Sequence, residues 1–203
     1  MIFRRSIQLA DRKRSAFLFG PRMTGKTFLL RGLRSDLYID LLDSEIELQL
    51  NQTPRIFWEQ ISALKPKSLV IIDEVQRVPA LLDYAQKGIE EKDIIFLLSG
   101  SSARKLKRSG ANLLGGRAQD IKLHPLTGDE IGSHFDIRVA CQYGTIPKVA
   151  QLVAEHRHDE AKSLLRSYST IYIKEEIQSE ALTRNVGAFQ RFLNVAIQGN
   201  ANV

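Results

Sequence analysis

Several things are scarce in this sequence. One cysteine, Cys141, stands in 203 residues. That excludes an internal disulfide framework and a cysteine-built zinc site, and it suits a reducing, cytoplasmic setting. Long apolar runs are missing: the cleanest, such as residues 94–98, are far too short to cross a bilayer. No membrane association is therefore expected. The early arginines Arg4 and Arg5 are not followed by a long apolar stretch, so the start does not read as a secretory signal. The four histidines, His124, His134, His156 and His158, show no zinc-ligand spacing with cysteine partners. Neither G-x-S-x-G nor H-E-x-x-H occurs. His156 and His158 lie in a charged stretch and are expected to be exposed. Cys141 lacks a histidine partner and is expected to be a small core residue.

What is present is ordinary globular material, with 43% hydrophobic and 26% charged residues. The length suits one α/β domain with a small appendage. The formal net charge is +6, and all of the excess falls in residues 1–150, since residues 151–203 hold six basic and six acidic side chains. Two basic clusters stand out, Arg12, Lys13 and Arg14, and Arg104, Lys105, Lys107 and Arg108. A positive face that assists nucleotide capture accounts for them, and nucleic acid is the rival partner. No aromatic residues are interleaved with them, so a stacking platform for single strands is not indicated.

Residues 16–19 read as a buried strand that runs into a glycine turn, followed by a helix over 26–33. Residues 37–42, 69–72, 94–98 and 119–123 read as further strands, the last nearer an edge. Helices are expected over 44–50, 57–64 and from Pro79 to about residue 91. Thr127 with Glu130 predicts a capping box that opens a short helix. Strands alternating with helices at this spacing imply a parallel sheet covered on both faces. Beyond Pro147 the pattern turns helical, over 159–180 and 188–198. The expected organisation is a core over 1–145 and a helical appendage over 146–203. The chain stops right after an amphipathic stretch, so it is expected to be part of a longer protein.

Gly20, Pro21, Arg22, Met23, Thr24, Gly25, Lys26 and Thr27 match G-x-x-x-x-G-K-[ST] between a strand and a helix. The glycines let the backbone curl so that N–H groups face phosphate oxygens. Lys26 would neutralise them, and Thr27 would offer its hydroxyl to Mg²⁺. The apolar run 69–72 ends in Asp73 and Glu74. At the carboxyl end of a parallel strand, Asp73 would support the metal and Glu74 would activate water. Ser99 follows the next strand as a candidate contact to the terminal phosphate, with Ser101 as second choice. Ser102 is a candidate cap for a helix over 103–107. Arg117, after Gly115 and Gly116, is a candidate finger, acting from the same subunit or a neighbour; Arg22 is the weaker second.

These strings resemble a known family. FLFGPRMTGKTFLLRGL is similar to the phosphate loop of prokaryotic AAA+-like ATPases whose AAA domain precedes a C-terminal domain of unknown function. LVIIDEVQRVPALLD resembles that family's acidic strand, in which Asp-Glu is followed by Gln and then Pro. IIFLLSGSSARKL resembles its sensor strand, and LLGGRAQDIKLHPLTGDEI its Gly-Arg turn. The resemblance implies a three-layer P-loop NTPase fold with an added strand between the phosphate-loop strand and the acidic strand. It implies ATP and Mg²⁺ at Lys26, Thr27, Asp73 and Glu74, with Ser99 as sensor and Arg117 as finger.

The expected function is Mg²⁺-dependent ATP hydrolysis that drives a conformational change. The alternatives are an ATP-dependent switch or scaffold with little hydrolysis of its own, and a DNA-associated motor. No N-K-x-D occurs to read guanine, which favours ATP. A homo-oligomer or a partner that supplies an arginine in trans is the expected assembly.

Overall fold

The computed structural model describes residues 3–9, 13–101, 106, 114–171 and 185–199. Arg12, the basic cluster Arg104, Lys105, Lys107 and Arg108, the Ser102 cap, most of the 103–107 helix and the part of the 159–180 helix after residue 171 lie outside the described residues.

Five strands form one parallel sheet: β1 (Ala16–Phe19), β2 (Leu37–Asp40), β3 (Leu69–Asp73), β4 (Ile95–Gly100) and β5 (Gln119–Lys122), in the order β2-β3-β4-β1-β5. β4 thus lies between β1 and the acidic strand β3, as the resemblance implies. The helices of this region are α1 (Lys26–Arg31), α2 (Ser44–Gln52), α3 (Arg55–Ser62), α4 (Leu81–Lys92) and α5 (Gly128–Ile131).

Period-two alternation explains why the central strands are apolar throughout, since both faces are covered. Phe17, Phe19, Val70, Ile72, Phe96 and Leu98 point into one core with Leu50 of α2, Phe57 and Ile61 of α3, and Leu81, Leu82 and Ala85 of α4. Ala16, Leu18, Ile71 and Leu97 point into the other with Leu30 of α1, Leu9 and Leu123. The fold is α/β with three layers. β2 and β5 are the two edge strands, and the residues of β5 are mostly exposed.

Sequence and structure differ at several ends. β2 stops at Asp40 instead of residue 42, because the Asp40 carboxylate accepts the Leu42 N–H at 3.0 Å and turns the chain. α1 ends at Arg31, with Gly32 closing it through bonds to Leu29 and Leu30. α2 runs on to Gln52, and Asp43 caps its start by accepting the N–H groups of Glu45 and Ile46. α3 begins right after Pro54, two residues early. α4 starts at Leu81, two residues past Pro79, whose carbonyl accepts the Leu82 N–H at 3.0 Å. β4 runs from Ile95 through Gly100 instead of over 94–98: Ser99 and Gly100 pair with Leu18 and Phe19, so the polar end is still sheet. The capping box forms in full, with Thr127 accepting the Glu130 N–H and Glu130 accepting the Thr127 N–H.

The chain divides into two compact units, one of Met1–Asp136 with Thr145–Lys148, the other of Ile137–Gly144 with Val149–Val203. The second contains α6 (Ile137–Tyr143), most of α7 (Pro147–Ala154), α8 (His158–Ile171) and α9 (Val186–Gly199), and its described residues include no strand. α6 packs on α8, and the Tyr143 and His158 rings meet at 5.7 Å. His156 and His158 are exposed. Cys141 is exposed on α6, not in the core; the buried positions of that helix go to Tyr143 instead. No helix among the described residues is long and apolar enough to cross a membrane.

Candidate functional site

The carboxyl ends of β1, β3 and β4 share one edge of the sheet, and the chemistry-bearing residues collect there. The loop from Gly20 to Gly25 leaves β1 and enters α1. Its first residue is wedged: a Cβ on Gly20 would stand 2.2 Å from the Leu123 carbonyl oxygen. The Gly20 N–H donates to the Gly100 carbonyl at 3.4 Å, and the Leu123 N–H donates to the Phe19 carbonyl at 2.7 Å. The loop is therefore fastened to the ends of both flanking strands. Gly25, the last residue before α1, has φ +94°, a left-handed conformation that favours glycine. Met23 also has positive φ, 64°.

Within the loop, Thr24 is buried, and its hydroxyl donates to the Pro21 carbonyl at 2.9 Å. Lys26 is only 5% exposed. Its Nζ donates to the carbonyls of Gly20 at 2.8 Å and Pro21 at 3.1 Å, so its ammonium is folded across the loop. Thr27 follows on the first turn of α1, half-buried, while Arg22 and Met23 are exposed.

One strand away from β4, Asp73 ends β3 with no exposed surface. Its two carboxylate oxygens accept from different hydroxyls: Oδ1 from Ser99 and Oδ2 from Tyr38, the latter at 3.1 Å. Ser99 is fully buried, and its Oγ also accepts the Glu74 backbone N–H at 2.9 Å. Burial, then the charge and hydrogen bond of Asp73, push the Tyr38 phenol from 10.0 up to about 12. The residue thus stays a donor. Arg31 of α1 pairs with Asp40 at the end of β2 at 2.7 Å.

Glu74 leaves the strand in a left-handed conformation, φ 62° and ψ 47°, an uncommon one for a residue with a Cβ. This sharp exit turns the side chain out of the sheet and opens the 3-10 turn Val75–Arg77. The Glu74 carboxylate accepts from the Gln76 amide. Gln76 in turn sits over Gly100, where a Cβ would stand 2.9 Å from its Oε1. Gln76 Oε1 and the Ser101 hydroxyl are buried without a hydrogen-bond partner among the described residues. Of these two atoms, the Gln76 oxygen can only accept, as from a water, whereas the Ser101 hydroxyl can also donate to a ligand oxygen.

The structure therefore brings the loop 20–27, Asp73, Glu74 and Ser99 to one edge. It does not bring Arg117 there. Arg117 lies two residues before β5, whose first residue pairs with Ala16 at the start of β1. That is the opposite edge, a strand length or roughly 13 Å away. Its guanidinium pairs with Glu90 of α4 at 2.8 Å. Sequence reasoning missed Tyr38, Gln76 and Arg5. Tyr38 and Asp40 alternate on β2, which signals one shared face, but that this face meets Asp73 follows only from strand order. Gln76 is two residues from Glu74, and only the left-handed turn at Glu74 brings its amide back.

No curated protein matches the chain. Among solved structures, the Orc1 protein of Aeropyrum pernix, in complex with DNA, is similar at 15% identity with a TM-score of 0.41, over 87% of this chain and 56% of that one. The chain thus spans little more than half the length of that protein. The family model of an AAA domain matches residues 12–132. That match takes in the phosphate loop, the acidic strand and β4, and the chain belongs to the AAA domain family.

Proposed function

We propose that this protein binds ATP with Mg²⁺ and hydrolyses it, and that nucleotide state sets its conformation. The observation that carries the reading is the buried Lys26 ammonium folded over the loop carbonyls, on the same sheet edge as the Asp73, Ser99 and Glu74 cluster. Phosphate oxygens are better acceptors for an ammonium than neutral carbonyls. Lys26 would exchange Gly20 and Pro21 for them. Loop amides would meet the remaining oxygens.

Thr27 and Asp73 are the residues to hold the metal. Both supply hard oxygen, and Mg²⁺ commonly takes one or two protein ligands and completes its shell with phosphate and water. When bound, the ion would offset the negative charge that develops on the phosphate oxygens. Ser99 and Tyr38 fix the Asp73 carboxylate, each leaving its oxygens further lone pairs. Glu74 is the base: it takes a proton from water as the water oxygen bonds to the γ-phosphorus. The bond from that phosphorus to the β–γ bridging oxygen breaks, giving ADP and phosphate. In this role Ser99 acts through the acidic pair. Arg117 would serve a neighbouring subunit's site, since it lies at the far edge of its own sheet.

A second reading, an ATP-dependent switch with slow turnover, is favoured by one observation: the Gln76 amide holds the Glu74 carboxylate. Gln76→Ala separates the two. Turnover that rises several-fold with unchanged ATP affinity supports a restrained base, and unchanged turnover removes the restraint. A DNA-associated motor in a cytoplasmic setting rests only on the basic clusters. Salt-sensitive DNA binding that disappears when Arg104, Lys105, Lys107 and Arg108 are neutralised would support it.

The binding half of the proposal is tested by calorimetry with ATP and Mg²⁺. Wild type is expected to bind, and Lys26→Ala to bind not at all. Equal binding by both would overturn it.

A further inference from the structure

The first described residues, 3–9, alternate: the odd positions face inward and the even ones outward. Ile7 and Leu9 join the apolar core beneath α1, so the segment lies as a strap across that face. Arg5, on the same inward face, has no apolar partner to seek. Its side chain is 8% exposed, and all three of its nitrogens are engaged. Nε donates to Glu130 at 3.1 Å, Nη1 to the Thr24 carbonyl at 3.0 Å and Nη2 to the His124 carbonyl at 2.6 Å. Glu130, 4% exposed, also accepts the Ser6 N–H and hydroxyl and the Thr127 N–H. The guanidinium thus joins the phosphate loop, the exit of β5 and the first turn of α5 in one plane.

The Thr24 carbonyl is the informative contact. All described peptide bonds are trans, so the C=O of Thr24 and the N–H of Gly25 point in opposite directions from one rigid plane. Anchoring the carbonyl on Arg5 turns the Gly25 N–H away from the strap. Gly25 has no side chain and carries φ +94°, so without an anchor this peptide is among the freest in the loop to rotate.

We propose that Arg5 is a positioning residue for phosphate recognition, which holds the Thr24–Gly25 peptide so that the Gly25 amide faces the bound phosphates. This rests on the triphosphate reading of the loop. The guanidinium meets these acceptors from three separate nitrogens held in one plane, whereas the three donors of a lysine share a single atom. A lysine would satisfy one or two. Pairing with Glu130 offsets the cost of burying the cation and fixes the orientation of the fork.

The test is ATP and ADP affinity of the full chain, measured by calorimetry with binding stoichiometry, for wild type, Arg5→Ala, Arg5→Lys and Lys26→Ala. Arg5→Ala is expected to weaken both nucleotides by roughly tenfold to a hundredfold. Arg5→Lys should fall between, and added ethylguanidinium should restore part of the Arg5→Ala loss. A merely structural role would lower the unfolding temperature yet leave the affinity of the folded fraction unchanged. If wild type binds, Lys26→Ala does not, and both Arg5 variants bind as wild type does, Arg5 has no positioning role while the loop reading stands. If wild type itself fails to bind, the loop reading falls first. Should Arg5→Ala not fold, Arg5→Lys decides: full wild-type affinity overturns the proposal, and reduced affinity with native unfolding temperature supports it.

Discussion

The hydroxyl of Ser99 donates to Asp73 and accepts the backbone N–H of Glu74, so one side chain of β4 holds both acidic residues that end β3. Ser99→Ala leaves the Glu74 N–H and one Asp73 oxygen without this partner in a buried place. A loss of about 1–3 kcal/mol in stability is expected, read by urea unfolding. Hydrolysis should fall by at least tenfold while ATP affinity changes little, because the phosphate loop itself is untouched.

Tyr38 gives a spectroscopic prediction. Burial first, then the Asp73 charge and hydrogen bond, favour the neutral phenol, so the stability tied to that form is fully present below pH 10.0 and is lost as pH rises through about 12. In an ultraviolet titration, one of the five tyrosines should ionise late. Tyr38→Phe should remove that late phase and flatten the alkaline loss of stability.

Two glycines of the same loop should respond differently to alanine. At Gly20 the new Cβ meets a backbone oxygen at 2.2 Å, and β5 must move to admit it. At Gly25 nothing lies within 4 Å, and the only penalty is the left-handed backbone, about 1–2 kcal/mol. Gly20→Ala should therefore destabilise several-fold more than Gly25→Ala in thermal unfolding. Similar losses would contradict the tight seat of Gly20 against Leu123.

Glu130 sets an acid limit. Burial acts to raise its carboxyl, but the Ser6 and Thr127 N–H groups, the Ser6 hydroxyl and the Arg5 cation together hold it below 4.5. Its contribution to stability is present above that ordinary value and is lost as pH falls through the lowered one. Glu130→Gln should be less stable than wild type at pH 7, and the difference should shrink as pH falls below 4.5.

Much of this arrangement was legible in the sequence. The loop 20–27 and the pair Asp73-Glu74 follow from local pattern, because a strand, a glycine turn and a helix are each specified by neighbouring residues. The capping box of Thr127 and Glu130 was legible for the same reason. What could not be read is pairing across distance. Tyr38 meets Asp73 because β2 lies beside β3, and Arg5 meets Thr24 because the strap crosses beneath α1. Glu130 was visible as a cap, but not as the partner of a residue 125 positions earlier. Ser99 was legible as a polar residue at the end of β4, but its hold on Asp73 and the Glu74 N–H was not, because that depends on β4 lying beside β3 and on the pairing with Leu18 that carries the strand past Leu98. Cys141 was misjudged because a small, weakly polar side chain says little about which face of a helix it occupies.

The central claim is that Glu74 activates water beside a nucleotide held by the loop. The direct test is steady-state phosphate release at saturating ATP by wild type and Glu74→Gln, each with Mg²⁺ and with chelator, at several protein concentrations. Mg²⁺-dependent release by wild type, with at least a hundredfold loss in Glu74→Gln and retained ATP binding, is the predicted result. Equal release by the two proteins, with or without the metal, would contradict it.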